Sequence, residues 1–120
     1  MTTALALEQV GQKLREQYKG VPIPSSELKS QAARLCGHQE SSVIPSDFCY
    51  NRTNAGIPLV NTPMFVLEGR GLYKFVGTGY PFTEPMVHKP RGQRERIVGN
   101  WKNGVFEIAG NGAFSEQEVP

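Results

Sequence analysis

The side chains that could do chemistry in this chain of 120 residues fall into three clusters. The run from Ser42 to Gly56 carries Ser46, Asp47, Tyr50, Asn51, Arg52 and Asn54. Set along the outward face of a helix, these side chains offer donors and acceptors together. An arginine suits guanine edges or phosphates, asparagine suits adenine edges, and tyrosine and serine hydroxyls reach phosphate or base. A face kept only for solubility would favour the better helix formers Glu, Lys and Gln, so Asn, Thr and Tyr there point to contact. The plainer reading makes Tyr50 half-buried core and the asparagines caps of a helix end. The second cluster is the turn around Gly69-Arg-Gly71, where Arg70 and the nearby Lys74 suit a phosphate backbone. Its glycines serve the turn whatever the function. The third is Lys89-Pro-Arg-Gly-Gln-Arg-Glu-Arg96, in which Lys89, Arg91, Arg94 and Arg96 oppose the single acid Glu95. It reads as a phosphate-tracking loop or, more plainly, as a solvated one.

Catalytic patterns are thin. Asp47 is the one aspartate of the chain, so a carboxylate pair would need distant glutamates. Cys36-Gly-His38 with Cys49 lacks the paired C-x-x-C spacing of a zinc site, and His38 and His88 stand in no regular relation. Spacing gives no reason to pair Cys49 with His88 as nucleophile and base. Gly69-Arg-Gly71 lacks the helix that follows a phosphate-cradling glycine loop. The expectation is a protein that is not an enzyme and needs neither metal nor cofactor.

Charge is unevenly spread. From Arg52 to Lys102 eight bases stand against three acids, a net +5, whereas residues 1–51 balance five against five. A basic second half suits a polyanion, because neutralising phosphates supplies affinity independent of sequence. No apolar run approaches the ~20 residues of a membrane span, and the N-terminus does not read as a secretory signal. Two cysteines are too few for a disulfide scaffold, which places the protein in the cytoplasm with both thiols reduced.

The elements that must position these clusters follow from periodicity and punctuation. Leu7, Val10, Leu14 and Tyr18 form one apolar stripe, predicting a first helix from about Thr3 to Tyr18, capped by Thr2 or Thr3. Val21-Pro-Ile-Pro24 cannot be helical and reads as a short strand. A second helix runs from about Ser26 to Leu35, capped by Ser25 or Ser26, with Leu28, Ala32 and Leu35 inward and Gly37 at its end. A third is expected over residues 42–54, with Pro45 in its first turn and Val43, Ile44 and Phe48 inward. A hairpin over residues 64–76 follows, then a second one over Ile97–Ile108 around the turn signal Asn103-Gly104. Trp101 reads first as core. Residues 1–109 are expected to form one domain and 110–120 a flexible acidic tail.

Helix, turn, polar helix and hairpin in that order is the plan of a winged helix-turn-helix: three helices plus a β-hairpin wing, here with a C-terminal β extension, an α+β fold. Helix 42–54 would then be the recognition helix and hairpin 64–76 the wing.

Ile44-Pro-Ser-Asp-Phe-Cys-Tyr-Asn-Arg-Thr-Asn54, with Tyr73-Lys-Phe75, Tyr80-Pro-Phe-Thr83 and Val98-Gly-x-Trp-x-Asn-Gly104, resembles a family of small uncharacterised bacterial proteins and modules. Its members look like winged helices, similar to modules appended to some restriction endonucleases. The resemblance spans residues 43–106 and implies a nucleic-acid-binding module, by analogy one that senses modified or foreign DNA. The expected function is therefore non-enzymatic binding of double-stranded DNA, through Tyr50, Asn51, Arg52 and Asn54 near base edges and Ser46 on the same face. Arg70, Lys74, Lys89, Arg91, Arg94 and Arg96 would hold phosphates. The alternative is a protein–protein interaction module, an adaptor or phage-related inhibitor of the same fold, built on the aromatic second half.

Overall fold

The apolar stripe at the start of the chain makes α1, Thr3–Tyr18, whose buried face is Ala6, Leu7, Val10, Gly11 and Leu14. Thr2 caps it, its side chain accepting from the Leu5 amide at 3.1 Å, and Lys19 ends it in the left-handed conformation. This computed structural model describes residues 1–54 and 61–108. The expected acidic tail over 110–120 lies outside them.

Ile23–Pro24 forms the short strand β1, and α2 follows at once as Ser25–Cys36. Its N-cap is Pro24 rather than Ser25 or Ser26, and no side chain caps it. The Ser25 amide instead donates to the Gly71 carbonyl at 2.8 Å, so a neighbouring turn satisfies the helix start. Leu28 and Ala32 are buried as the pattern predicts, but Leu35 is exposed and Ala33 takes the inward position. Gly37 closes the helix at φ 76°, its amide donating to Ala33.

The third helix does not form. In its place stand two 3-10 turns, Glu40–Ser42 and Pro45–Phe48, and then the two-residue strand β2, Arg52–Thr53. Val43 and Ile44 are extended ahead of Pro45, as a pre-proline residue prefers. Cys49 is extended again at φ −105° and ψ 147°, which releases the chain from helix four residues after Pro45. From there tertiary pairing takes over: the Tyr50 amide donates to Phe65 and the Met64 amide to Phe48, both at 2.8 Å. Ser, Asp, Cys, Tyr, Asn and Thr are all mediocre helix formers, so pairing has little intrinsic preference to overcome.

Two sheets complete the fold. β3 (Phe65–Gly69) and β4 (Leu72–Phe75) form the first predicted hairpin, with a bulge between Leu67 and Gly69, and β1 pairs antiparallel with β4. β5 (Pro85–His88), β6 (Arg96–Lys102) and β7 (Val105–Ile108) form an antiparallel set, and β2 joins it parallel to β5. Asn103 and Gly104 both have positive φ, 51° and 85°, the signature of a type I′ two-residue turn. Among the described residues the architecture is therefore α+β, two α-helices with two sheets in the orders β1-β4-β3 and β2-β5-β6-β7. The expected winged helix-turn-helix is not what forms, because the helix meant to enter a groove is replaced by turns and a strand of the second sheet.

Each sheet has its own core. Leu7, Leu14, Leu28, Val43, Phe65 and Phe75 belong to one cluster; Tyr50, Phe82, Met86, Val98 and Trp101 form the other. The chain changes core between Cys49, in the first, and Tyr50, in the second, because successive side chains of an extended segment point opposite ways. The Tyr50 hydroxyl donates to the Gly77 carbonyl at 2.8 Å and accepts from the Tyr80 amide at 3.0 Å. Its own carbonyl accepts from the Trp101 indole at 2.8 Å, and the two rings meet edge-on with centroids 5.0 Å apart. Tyr50 is thus the fastener between the cores.

Candidate nucleic-acid interface

Three of the residues expected on a recognition face are committed inward or sideways. Tyr50 is 2% exposed. The Asn51 amide donates to the Leu67 carbonyl and its oxygen accepts from the Leu67 amide, both at 2.9 Å. A side chain thereby mimics a strand partner beside the β3 bulge. Asn54 is exposed, yet its amide donates to the Ser46 hydroxyl at 2.6 Å and to Asp47 Oδ1 at 2.8 Å. The expected base-reading set of Ser46, Tyr50, Asn51, Arg52 and Asn54 therefore does not share one outward face; its helix is missing and its polar groups brace the loop.

What the fold assembles instead is a cation cluster. The Asn51 pincer and the β2–β5 register, Arg52 opposite Val87 and Thr53 opposite His88, hold Arg52 at the junction of the two sheets. His88, itself buried, supports that register through Nδ1, 3.1 Å from the Thr53 carbonyl. Arg70 rides the β3–β4 turn, where Gly71 adopts φ 68°, and Lys89 directly follows β5. These three cations line one cleft of about 300 Å³ together with Ser46, Thr53 and Asn54, over Leu67 and Tyr73. Arg52 donates to Glu95 at 3.4 Å, the two side chains 27% and 56% exposed. Arg91 and Arg94 stand exposed on the loop beyond Lys89.

Two expected phosphate contacts fall elsewhere. Lys74 is exposed but lines a different cleft, of about 530 Å³, beside Glu68 and Glu84, so it does not act with Arg70. Arg96 opens β6 and is only partly exposed, with its Nε buried and without a hydrogen-bond partner among the described residues. Thr53, Tyr73 and Glu95 were not legible as site residues. Glu95 alone left a trace, as the one acid in a basic run.

Burial sets the chemistry of one thiol, Cys49. Both cysteines are free, and burial pushes the Cys49 thiol up to about 12, against a smaller opposing pull from Arg52. A thiol so raised is not a thiolate at neutral pH and cannot serve as nucleophile. Among the described residues no group of three or more His, Cys, Asp or Glu is placed to hold a metal ion, and no helix is long and apolar enough to cross a membrane.

A small α+β module with a three-cation cleft where its two sheets meet is the class that the fold and the site define. By sequence the chain belongs to the family described as Domain of unknown function (DUF7225), whose model matches residues 5–108. It is similar to the uncharacterized protein YnaC of Bacillus subtilis (strain 168), 35% identical over 102 residues that cover 84% of this chain and 38% of YnaC. The chain thus spans well under half the length of that relative. No solved structure matches it.

Proposed function

We propose that this chain is a non-enzymatic module that binds double-stranded DNA through its phosphates and not through base edges. One observation carries the reading: Arg52, Arg70 and Lys89, from three separate chain segments, line the same cleft, with the exposed Arg91 and Arg94 continuing the positive surface. Phosphate contacts position a protein on a duplex but carry no direct sequence information. Because Tyr50, Asn51 and Asn54 are engaged by other groups of the protein, discrimination between sequences should be weak.

Fluorescence anisotropy of a labelled random duplex across a salt series tests this. With three to five cations engaged, the logarithm of affinity should fall against that of salt with a slope of about −3 to −4.5. Arg94→Ala should weaken all duplexes alike and reduce the slope by about one. No binding at low salt refutes the proposal.

A second reading, a protein-interaction module, draws on β7, where Val105 and Ile108 are 64% and 62% exposed. Binding through that strand would depend little on salt and would be lost with Val105→Lys.

A further inference from the structure

We infer that the cleft between the sheets is a seat for a single phosphomonoester, the 5′-phosphate at a DNA end. The inference rests on the preceding reading only for the molecule that carries the phosphate. Arg91 and Arg94 stand exposed on one loop, successive in the chain as backbone-tracking cations can be. Arg52, Arg70 and Lys89 instead come from β2, the β3–β4 turn and the segment after β5, and converge on one space of about 300 Å³. A convergent set suits one compact anion.

The charge balance favours a dianion. Asp47 stands beside the cleft, held by Asn54, and Glu95 occupies Arg52. With Glu95 displaced, three cations against Asp47 leave a net +2. A phosphomonoester carries about −1.5 to −2 at pH 7, whereas each internal phosphodiester carries a single negative charge. Glu95 is the chain's own stand-in for that anion. It contacts Arg52 at a single long distance of 3.4 Å and is mostly exposed, so a phosphate that engages the planar fork with two oxygens can replace it. Ser46 also lines the cleft, with its hydroxyl accepting from Asn54, and Tyr73 beneath is buried, so its ring is not exposed for stacking. Recognition therefore falls on the phosphate and not on the base.

The test compares four titrants on the full chain: a blunt duplex with 5′-phosphates, the same duplex with 5′-hydroxyls, a nucleoside 5′-monophosphate and inorganic phosphate. Affinity is read by anisotropy for the duplexes and by calorimetry for the small anions. The expected result is a roughly tenfold preference for the phosphorylated duplex, abolished in the double variant Arg70→Ala/Lys89→Ala and retained in Lys74→Ala, whose side chain lines the other cleft. Arg70, Lys74 and Lys89 are all exposed, and a thermal melt of each variant checks that the fold is intact. Equal affinity for both duplexes overturns the inference and leaves phosphate-backbone binding standing. Binding of the monophosphate or of inorganic phosphate, with neither duplex bound, upholds the seat and overturns DNA as its source. No binding of any titrant overturns both.

Discussion

Replacing Tyr50 with phenylalanine separates the observed role of that residue from the one its sequence context suggests. On the face of a recognition helix, loss of the hydroxyl would leave stability unchanged and weaken DNA binding. In the structure the hydroxyl joins two backbone groups 27 and 30 residues away in sequence, the Gly77 carbonyl and the Tyr80 amide. Phenylalanine keeps the ring packing on Trp101 and Phe82, whose centroids lie 5.0 and 5.6 Å away, so no cavity opens. The cost is then that of two unpaired backbone groups. A fully buried orphan costs ~1–3 kcal/mol, and at this half-buried site the lower end applies, giving about 2 kcal/mol for the pair. For a chain of this length that lowers Tm by roughly 6–10 °C. Urea unfolding followed by tryptophan fluorescence suits the measurement, because Trp101 sits against Tyr50. A loss under about 0.5 kcal/mol together with weaker duplex binding would refute the fastener role.

Glu95→Gln releases Arg52 and removes a negative charge from the basic loop; since both partners are partly solvated, the gain is at most ~1 kcal/mol, a two- to fivefold tighter duplex affinity by anisotropy. Unchanged or weaker binding contradicts the view of Glu95 as a competitor for the cleft. Gly11→Ala, which in most helix interiors would stabilise, should here cost about 1–3 kcal/mol, because the new methyl would enter the ring of Phe75; a Phe75→Leu background should recover part of it in the same unfolding assay. Cys49 keeps its proton up to about 12 in the folded chain against 9.0 unfolded, so between these values the unfolded state binds fewer protons and stability falls as pH rises. Burial raises Tyr50 and Tyr73 too, so urea titrations between about pH 9 and 12 should show a decline that Cys49→Ser lessens by up to about 1.4 kcal/mol per unit; equal slopes would show that burial of this thiol contributes nothing.

Local signals carried most of the secondary structure, while the site depends on pairing that no local pattern reveals. Asn103-Gly104 announced the β6–β7 turn because only a few residues tolerate positive φ at two successive positions, and both do so here. The stripe of Leu7, Val10 and Leu14 was legible for the same reason: one face of one helix meets one core. The segment after Pro45 holds poor helix formers, which read as a DNA-contacting face only where a helix is assumed. Their low propensity was itself the sign that no helix forms, and Asn51 shows what they do instead, bonding Leu67 as a strand would. Arg52 reaches the cleft through a strand of two residues paired parallel to β5, which is too short to leave a period in the sequence. Its nearness to Lys89 nevertheless follows from that register, since Arg52 opposite Val87 in a parallel pair sets Arg52 and Lys89, two residues on from Val87, on the same face. The surplus of bases from Arg52 onward thus becomes a local field through strand pairing alone, and the positive surface outlasts the loss of the helix that was expected to carry it.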